Sequence, residues 1–136
     1  MRIGQYFTLE ELTKTSYPVD NKTTSNEVVV NLCHLVFYIL APLRLAMHER
    51  VIIRSGYRCP KLNNLVGGVP NSQHLSGCAA DIRIKNEAHG KRVFASLRGL
   101  YYVDQLLYEH KGKTTWIHVS FSWTPRHYIQ DNYKVS

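Results

Sequence analysis

Apolar residues recur along the chain with two different periods. Between Asn26 and His48, Val29, Leu32, Cys33, Val36, Phe37, Leu40, Leu43 and Met47 fall at steps of three and four, the spacing of one buried helical face. Pro42 lies inside this run, lacks a backbone N–H, and is expected to kink or split the helix. Upstream, Thr8-Leu-Glu-Glu11 has the form of a capping box and predicts a short helix over Leu9 to Thr13. Tyr17 to Ser25, polar and carrying Pro18, Asp20 and Asn21, predicts a loop. Beyond Val51 the apolar runs shorten. Val51 to Ile53, Ala79 to Ile84, Val103 to Tyr108 and Thr115 to Phe121 predict strands, the last two joined as a hairpin through Lys111-Gly-Lys113. Ser55 to Pro60 leaves the first strand as a turn, and Lys61 to Gln73, rich in Asn and Gly, predicts an irregular segment with at most one helical turn. Glu87 to Leu97 predicts a second helix with Val93, Phe94 and Leu97 inward. The tail after Trp123 carries Pro125 and many polar residues. The fold class this implies is α+β: a small, largely antiparallel sheet with helices packed on one face.

Composition narrows the picture. A chain of 136 residues fits a single domain, taken here as 1–136. Its 44% hydrophobic and 20% charged residues supply a core and argue against disorder. The longest apolar stretch, Val28 to Met47, is interrupted by Asn31, His34, Pro42 and Arg44, so no membrane insertion is expected. Met1 to Tyr6 lacks the basic-then-apolar pattern of a secretory signal, and synthesis in the cytoplasm is expected. Cys33, Cys59 and Cys78 form no CxxC pair, which disfavours both a disulfide framework and a thiolate zinc site. The net charge of +7 favours anionic partners. The basic residues are scattered, with no nucleic-acid motif, so nucleic acid is not the expected partner.

Strand parity points to chemistry. Ile82 and Ile84 share one face of their strand, while Asp81 shares the other with Arg83. Ile117, Val119 and Phe121 share one face of theirs, while His118 shares the other with Trp116 and Ser120. If the strands are neighbours, Asp81 and His118 converge. His74 lies seven residues before Asp81, with Gly77 between them, and can fold back to the same point. Two histidines and one carboxylate suit a zinc site with an open fourth position. Hydrolysis at such a site needs a proton acceptor. Glu109 ends the first hairpin strand and would sit at the same end of the sheet, whereas the neighbouring His110 has the opposite parity. A guanidinium at Arg58 suits a two-pronged grip on a substrate carboxylate. Ser72 can donate to a substrate or cap the loop before His74, and Trp116 can line the site.

Several segments together resemble one family. Ser72-Gln-His-Leu-Ser-Gly-Cys-Ala-Ala-Asp81 is similar to the SxHxxGxAxD signature of the zinc D-Ala-D-Ala peptidases, with every fixed position present. That group includes carboxypeptidases, dipeptidases, phage endolysins and the related Hedgehog domain. Ser55-Gly-Tyr-Arg58 resembles its SGYR turn, Trp116-Ile-His-Val-Ser120 its third-ligand strand, and Asp104-Gln-Leu-Leu-Tyr-Glu109 the strand carrying its glutamate. Phe7-Thr-Leu-Glu-Glu-Leu12 and Leu40-Ala-Pro-Leu-Arg44 resemble the small phage-type subgroup, and the likeness spans residues 7–121. Two departures stand out. Trp116 occupies the place of a second histidine found in some relatives, and Thr115 the place of the dipeptidases' catalytic glutamate.

The resemblance implies one zinc ion held by His74, Asp81 and His118, with Glu109 as general base and Arg58, Ser72 and Trp116 on the substrate. It implies hydrolysis of D-amino-acid-containing peptidoglycan stem peptides, by a monomer that reaches the wall after release by a phage pore protein. A non-catalytic, zinc-stabilised binding module of the same fold is the alternative. Asp104 is expected to bond a nearby turn. His34, His48, His89, His127 and Cys78 are assigned no chemistry.

Overall fold

A computed structural model describes residues 1–133. A two-stranded antiparallel ribbon opens the chain, β1 (Arg2–Ile3) with β2 (Phe7–Thr8). Helix α1 (Leu9–Thr13) follows, and Thr8 Oγ1 accepts from the Glu11 N–H as the capping box requires.

The long helix forms in three pieces. Helix α2 (Asn26–Leu35) passes without a break into a π-helical turn, Val36–Leu40, and then into α3 (Ala41–Met47). The irregularity lies upstream of Pro42, which sits in the first turn of α3, where a missing N–H is tolerated. The wider turn brings the Ala41 N–H to the Val36 carbonyl and shifts the helix's phase. As a result Val28, Leu32, Leu35, Val36, Ile39, Leu40 and Leu43 are the buried positions. Phe37, expected in the buried stripe, is 71% exposed. By length and composition Asn26–Met47 would suffice to cross a membrane. Here its buried face packs into the core.

The main sheet has the order β3-β4-β6-β5-β7. Its strands are β3 (Ile53–Ser55), β4 (Ala79–Arg83), β5 (Val103–Lys111), β6 (Thr114–Phe121) and β7 (Tyr128–Gln130). The first strand begins two residues later than expected, and the hairpin arms run further into the turn, by three residues on the first arm and one on the second, with Gly112 making the turn at a φ of +61°. Pairing is antiparallel except at β7, a strand in the tail that lies parallel to β5. Between β3 and β4 the chain forms α4 (Pro60–Leu65), started by Pro60 and capped by Cys59 Sγ, so the segment expected to be irregular holds a six-residue helix. A 3₁₀ turn, Gln73–Ser76, follows. Helix α5 (Glu87–Arg98) buries Val93, Phe94 and Leu97.

One sheet face, with Ala80, Ile82, Leu106, Tyr108, Ile117 and Val119, meets the helices and forms the core. The register Asp81↔His118 and Leu107↔His118 places the metal-capable side chains on the opposite face, which the helices leave open.

Candidate metal centre

Three segments converge on this open face, two adjacent in sequence and the third 37 residues beyond. Asp81 and His118 are direct cross-strand partners on β4 and β6. His74 arrives from the 3₁₀ turn, which ends at Gly77 with φ +82°. A side chain at Gly77 would meet the Val28 carbonyl at 2.8 Å, so both the left-handed backbone and the close approach to α2 call for glycine. One nitrogen or oxygen from each of His74, Asp81 and His118 lies within 4.8 Å of the others, and all three residues are buried. Among the described residues no fourth His, Cys, Asp or Glu joins the group.

The turn after β3 fixes the first histidine. His74 Nδ1 donates to the Gly56 carbonyl at 2.6 Å, which turns Nε2 toward Asp81. The Arg58 N–H in turn donates to the His74 carbonyl at 3.0 Å. Gly56 packs so tightly that a Cβ would collide with the Leu12 carbonyl oxygen. The buried Asn21 ties the same turn down by donating to the Tyr57 carbonyl and accepting from the Cys59 N–H.

Asp81 is the hub. Its Oδ1 lies 3.2 Å from His74 Nε2 and 3.0 Å from His118 Nδ1, and its Oδ2 accepts from Arg58 at 3.1 Å. Burial pushes the Asp81 carboxyl up, but hydrogen bonds from His118 and His74 outweigh it and hold the group well below the usual carboxylate range. A buried, ionised carboxylate between two imidazoles is a donor set that suits zinc by ligand type and number.

The other expected residues line the same cleft: Arg58, Ser72, Glu109 and Trp116. Glu109 pairs with Trp116, one same-face step from His118, a diagonal separation of roughly 7 Å. His110 points elsewhere, with Nε2 2.6 Å from the Asn132 carbonyl. Ser72 Oγ accepts from the His74 N–H, so it caps the turn. The Arg58 guanidinium is distributed among Ser55, Asn63 and Asp81, with the side chain only 14% exposed. The Trp116 ring lies under the Arg54 guanidinium at 4.3 Å.

Sequence reasoning missed a second arginine in the cleft. Arg126, from the tail, grips the buried Asp104 through Nε and Nη2, while its backbone N–H also donates to that carboxylate. Gln73, beside His74, donates at 2.9 Å to Asp104 Oδ2, the oxygen that Arg126 Nη2 also holds. The Arg126 hydrogen bonds hold the Asp104 carboxyl below its ordinary range. Asp104 does bond a nearby turn, as expected, but the partner lies in a segment with no motif or periodicity to mark it.

A family model described as Peptidase M15 matches residues 5–120 of the chain. No curated protein matches it.

Proposed function

The chain belongs to the peptidase M15 family, zinc metallopeptidases of the D-Ala-D-Ala carboxypeptidase type, and from that premise we propose that it hydrolyses D-amino-acid-containing stem peptides of bacterial peptidoglycan. The observation that carries the reading is the convergence of His74, Asp81 and His118 in a cleft that also holds a carboxylate, Glu109.

Those three side chains would hold the ion. Zinc, when bound, supplies the Lewis acidity that polarises a peptide carbonyl and makes water nucleophilic near neutral pH. Glu109 takes the proton released as the water oxygen bonds to the carbonyl carbon, and returns it to the departing amine nitrogen as the C–N bond breaks. It is half-buried on β5 and lines the cleft. Arg58 holds Asp81 Oδ2 and so turns Oδ1 to the ligand cluster. Its contacts therefore support orienting Asp81 rather than gripping a substrate carboxylate. Among the described residues the Ser72 hydroxyl donates to no partner, which leaves its hydrogen for the peptide, and Trp116 lines the cleft together with His118.

The test is incubation of the zinc-loaded protein with purified wall fragments, following free D-alanine and newly exposed amino groups. Release that stops with a chelator and returns with zinc is expected. Absence of release from wall fragments of every stem-peptide type would overturn the reading and favour a binding module.

A further inference from the structure

The open sheet face does not end at the metal cluster. Strand alternation places Arg83 about 7 Å beyond Asp81 on the same face of β4, and Trp116 the same step beyond His118 on β6. Past the strand ends lie Lys85 and Lys113, and across from them Lys14 and Arg54. Arg83, Lys85, Lys113, Lys14 and Arg54 line a groove of about 790 Å³ into which no acidic side chain projects among the described residues. Its volume is within the range of sites that bury whole small ligands. Lys14, Arg54, Arg83 and Lys113 make no ion pair among the described residues. Lys85 lies 3.7 Å from Glu49, outside the groove. The groove is continuous with the metal cleft: Arg54 and Lys14 also line a depression shared with Arg58, Asp81 and Trp116. Unpaired like charges gathered around one groove are unfavourable unless something anionic lies against them.

We propose that this groove is an anion subsite for the peptide being cut, and that it takes an acidic segment whose carboxylates lie two to four residues from the scissile bond. The inference rests on the peptidase reading. Continuity with the cleft makes the groove's ligand part of the same molecule that reaches the metal, which favours an acidic peptide over a separate nucleic acid. The register sets the span: an extended chain advances about 3.3 Å per residue, so cations about 7 to about 13 Å from the ligand row face the second to fourth residues. The Arg54 guanidinium stacked on Trp116 marks the threshold between cleft and groove.

The probe is a D-glutamate hexamer, with a D-glutamine hexamer as its neutral match, titrated calorimetrically into the zinc-loaded protein at low and at physiological salt. The test variant is Arg83→Gln/Lys85→Gln/Lys113→Gln, all three residues being exposed. Salt-sensitive binding of the acidic hexamer, weakened about tenfold or more in the variant, is expected, since each exposed ion pair contributes only a small factor. Equal binding of the two hexamers, or an unchanged affinity in the variant, would overturn the proposal. Lys113→Gln alone, in the hairpin turn, gives the same comparison with the least disturbance of the sheet. Inorganic polyphosphate forms the third arm: binding much tighter than that of the glutamate hexamer would replace the carboxylate ligand by a phosphate polymer and overturn the assignment. Retained hexamer binding in a protein that cleaves no wall peptide would count against the peptidase reading and leave the anion subsite standing.

Discussion

Replacing Asp81 with asparagine separates charge from shape at the hub of the site. The carboxylate accepts on both sides, from the imidazoles at Oδ1 and from Arg58 at Oδ2. An amide accepts on one side only. A guanidinium only donates, so the amide oxygen must turn to Arg58 and its NH2 must face the two histidines. That orientation puts a donor where the metal needs a lone pair. Removing one member of a buried ion pair typically costs about 3–5 kcal/mol. Arg58 keeps its bonds to Ser55 and Asn63, which places the expected loss near the low end, about 3 kcal/mol in chelator. Zinc affinity should fall by about 100-fold or more, beyond what changes behind the ligands usually cost. Urea unfolding with chelator present measures the first quantity, and competition against a chromogenic chelator the second. In the double variant with Arg58→Gln, the stability losses should sum to less than the two single losses, because one contact is counted twice. Zinc affinity within threefold of the parent, or strictly additive losses, would refute the reasoning.

Glu109→Gln should keep zinc and lose turnover by about 100-fold or more, the usual scale of general-base catalysis, as read by steady-state rates beside metal analysis; full activity would remove Glu109 from the proton path. Gly56→Ala should cost about 3 kcal/mol, because the added carbon meets the Leu12 backbone, which cannot swing aside as a side-chain end can; an unchanged thermal midpoint would contradict that packing. Asp104 has a folded pKa depressed by Arg126, so its contribution to stability is complete above its unfolded value of about 3.9 and is lost as pH falls through the lower folded value. Asp104→Asn should therefore flatten the acid limb of a stability–pH curve below about pH 4, and parallel limbs for the two proteins would count against the pairing.

Much of this site was legible because the strands obey a period of two. The alternation in Ala79–Arg83 and Thr114–Phe121 separates core from ligands before any pairing is known, and the register then fulfils it residue for residue. The signature around His74 was visible for another local reason: Ser72 and Gly77 cap and end a turn only four residues long. What escaped was non-local. The phase of the long helix shifted at a π turn that no propensity marks, which exposed Phe37 and buried Leu35 and Ile39 instead. Arg58 read as a free cation because its partner, Asp81, is 23 residues away. Arg126 escaped for the same reason, since its meaning comes from Asp104, 22 residues earlier. Strand β7, three residues in a polar tail, has too little pattern to register as a strand.

That last short strand has a consequence for solubility. The outermost strands of the main sheet, β3 and β7, are three residues each, whereas the long arms β5 and β6 are interior. A sheet edge offers unpaired N–H and C=O groups to any other chain, and three-residue borders offer few. The tail seals Gln105 to Leu107 by parallel pairing, outside the stretch that the family model matches. Without that seal, the nine-residue β5 would itself be the border, a long ready-made template for intermolecular strand addition. The tail thus shortens the edge that β5 offers to strand addition, while its arginine reaches into the cleft.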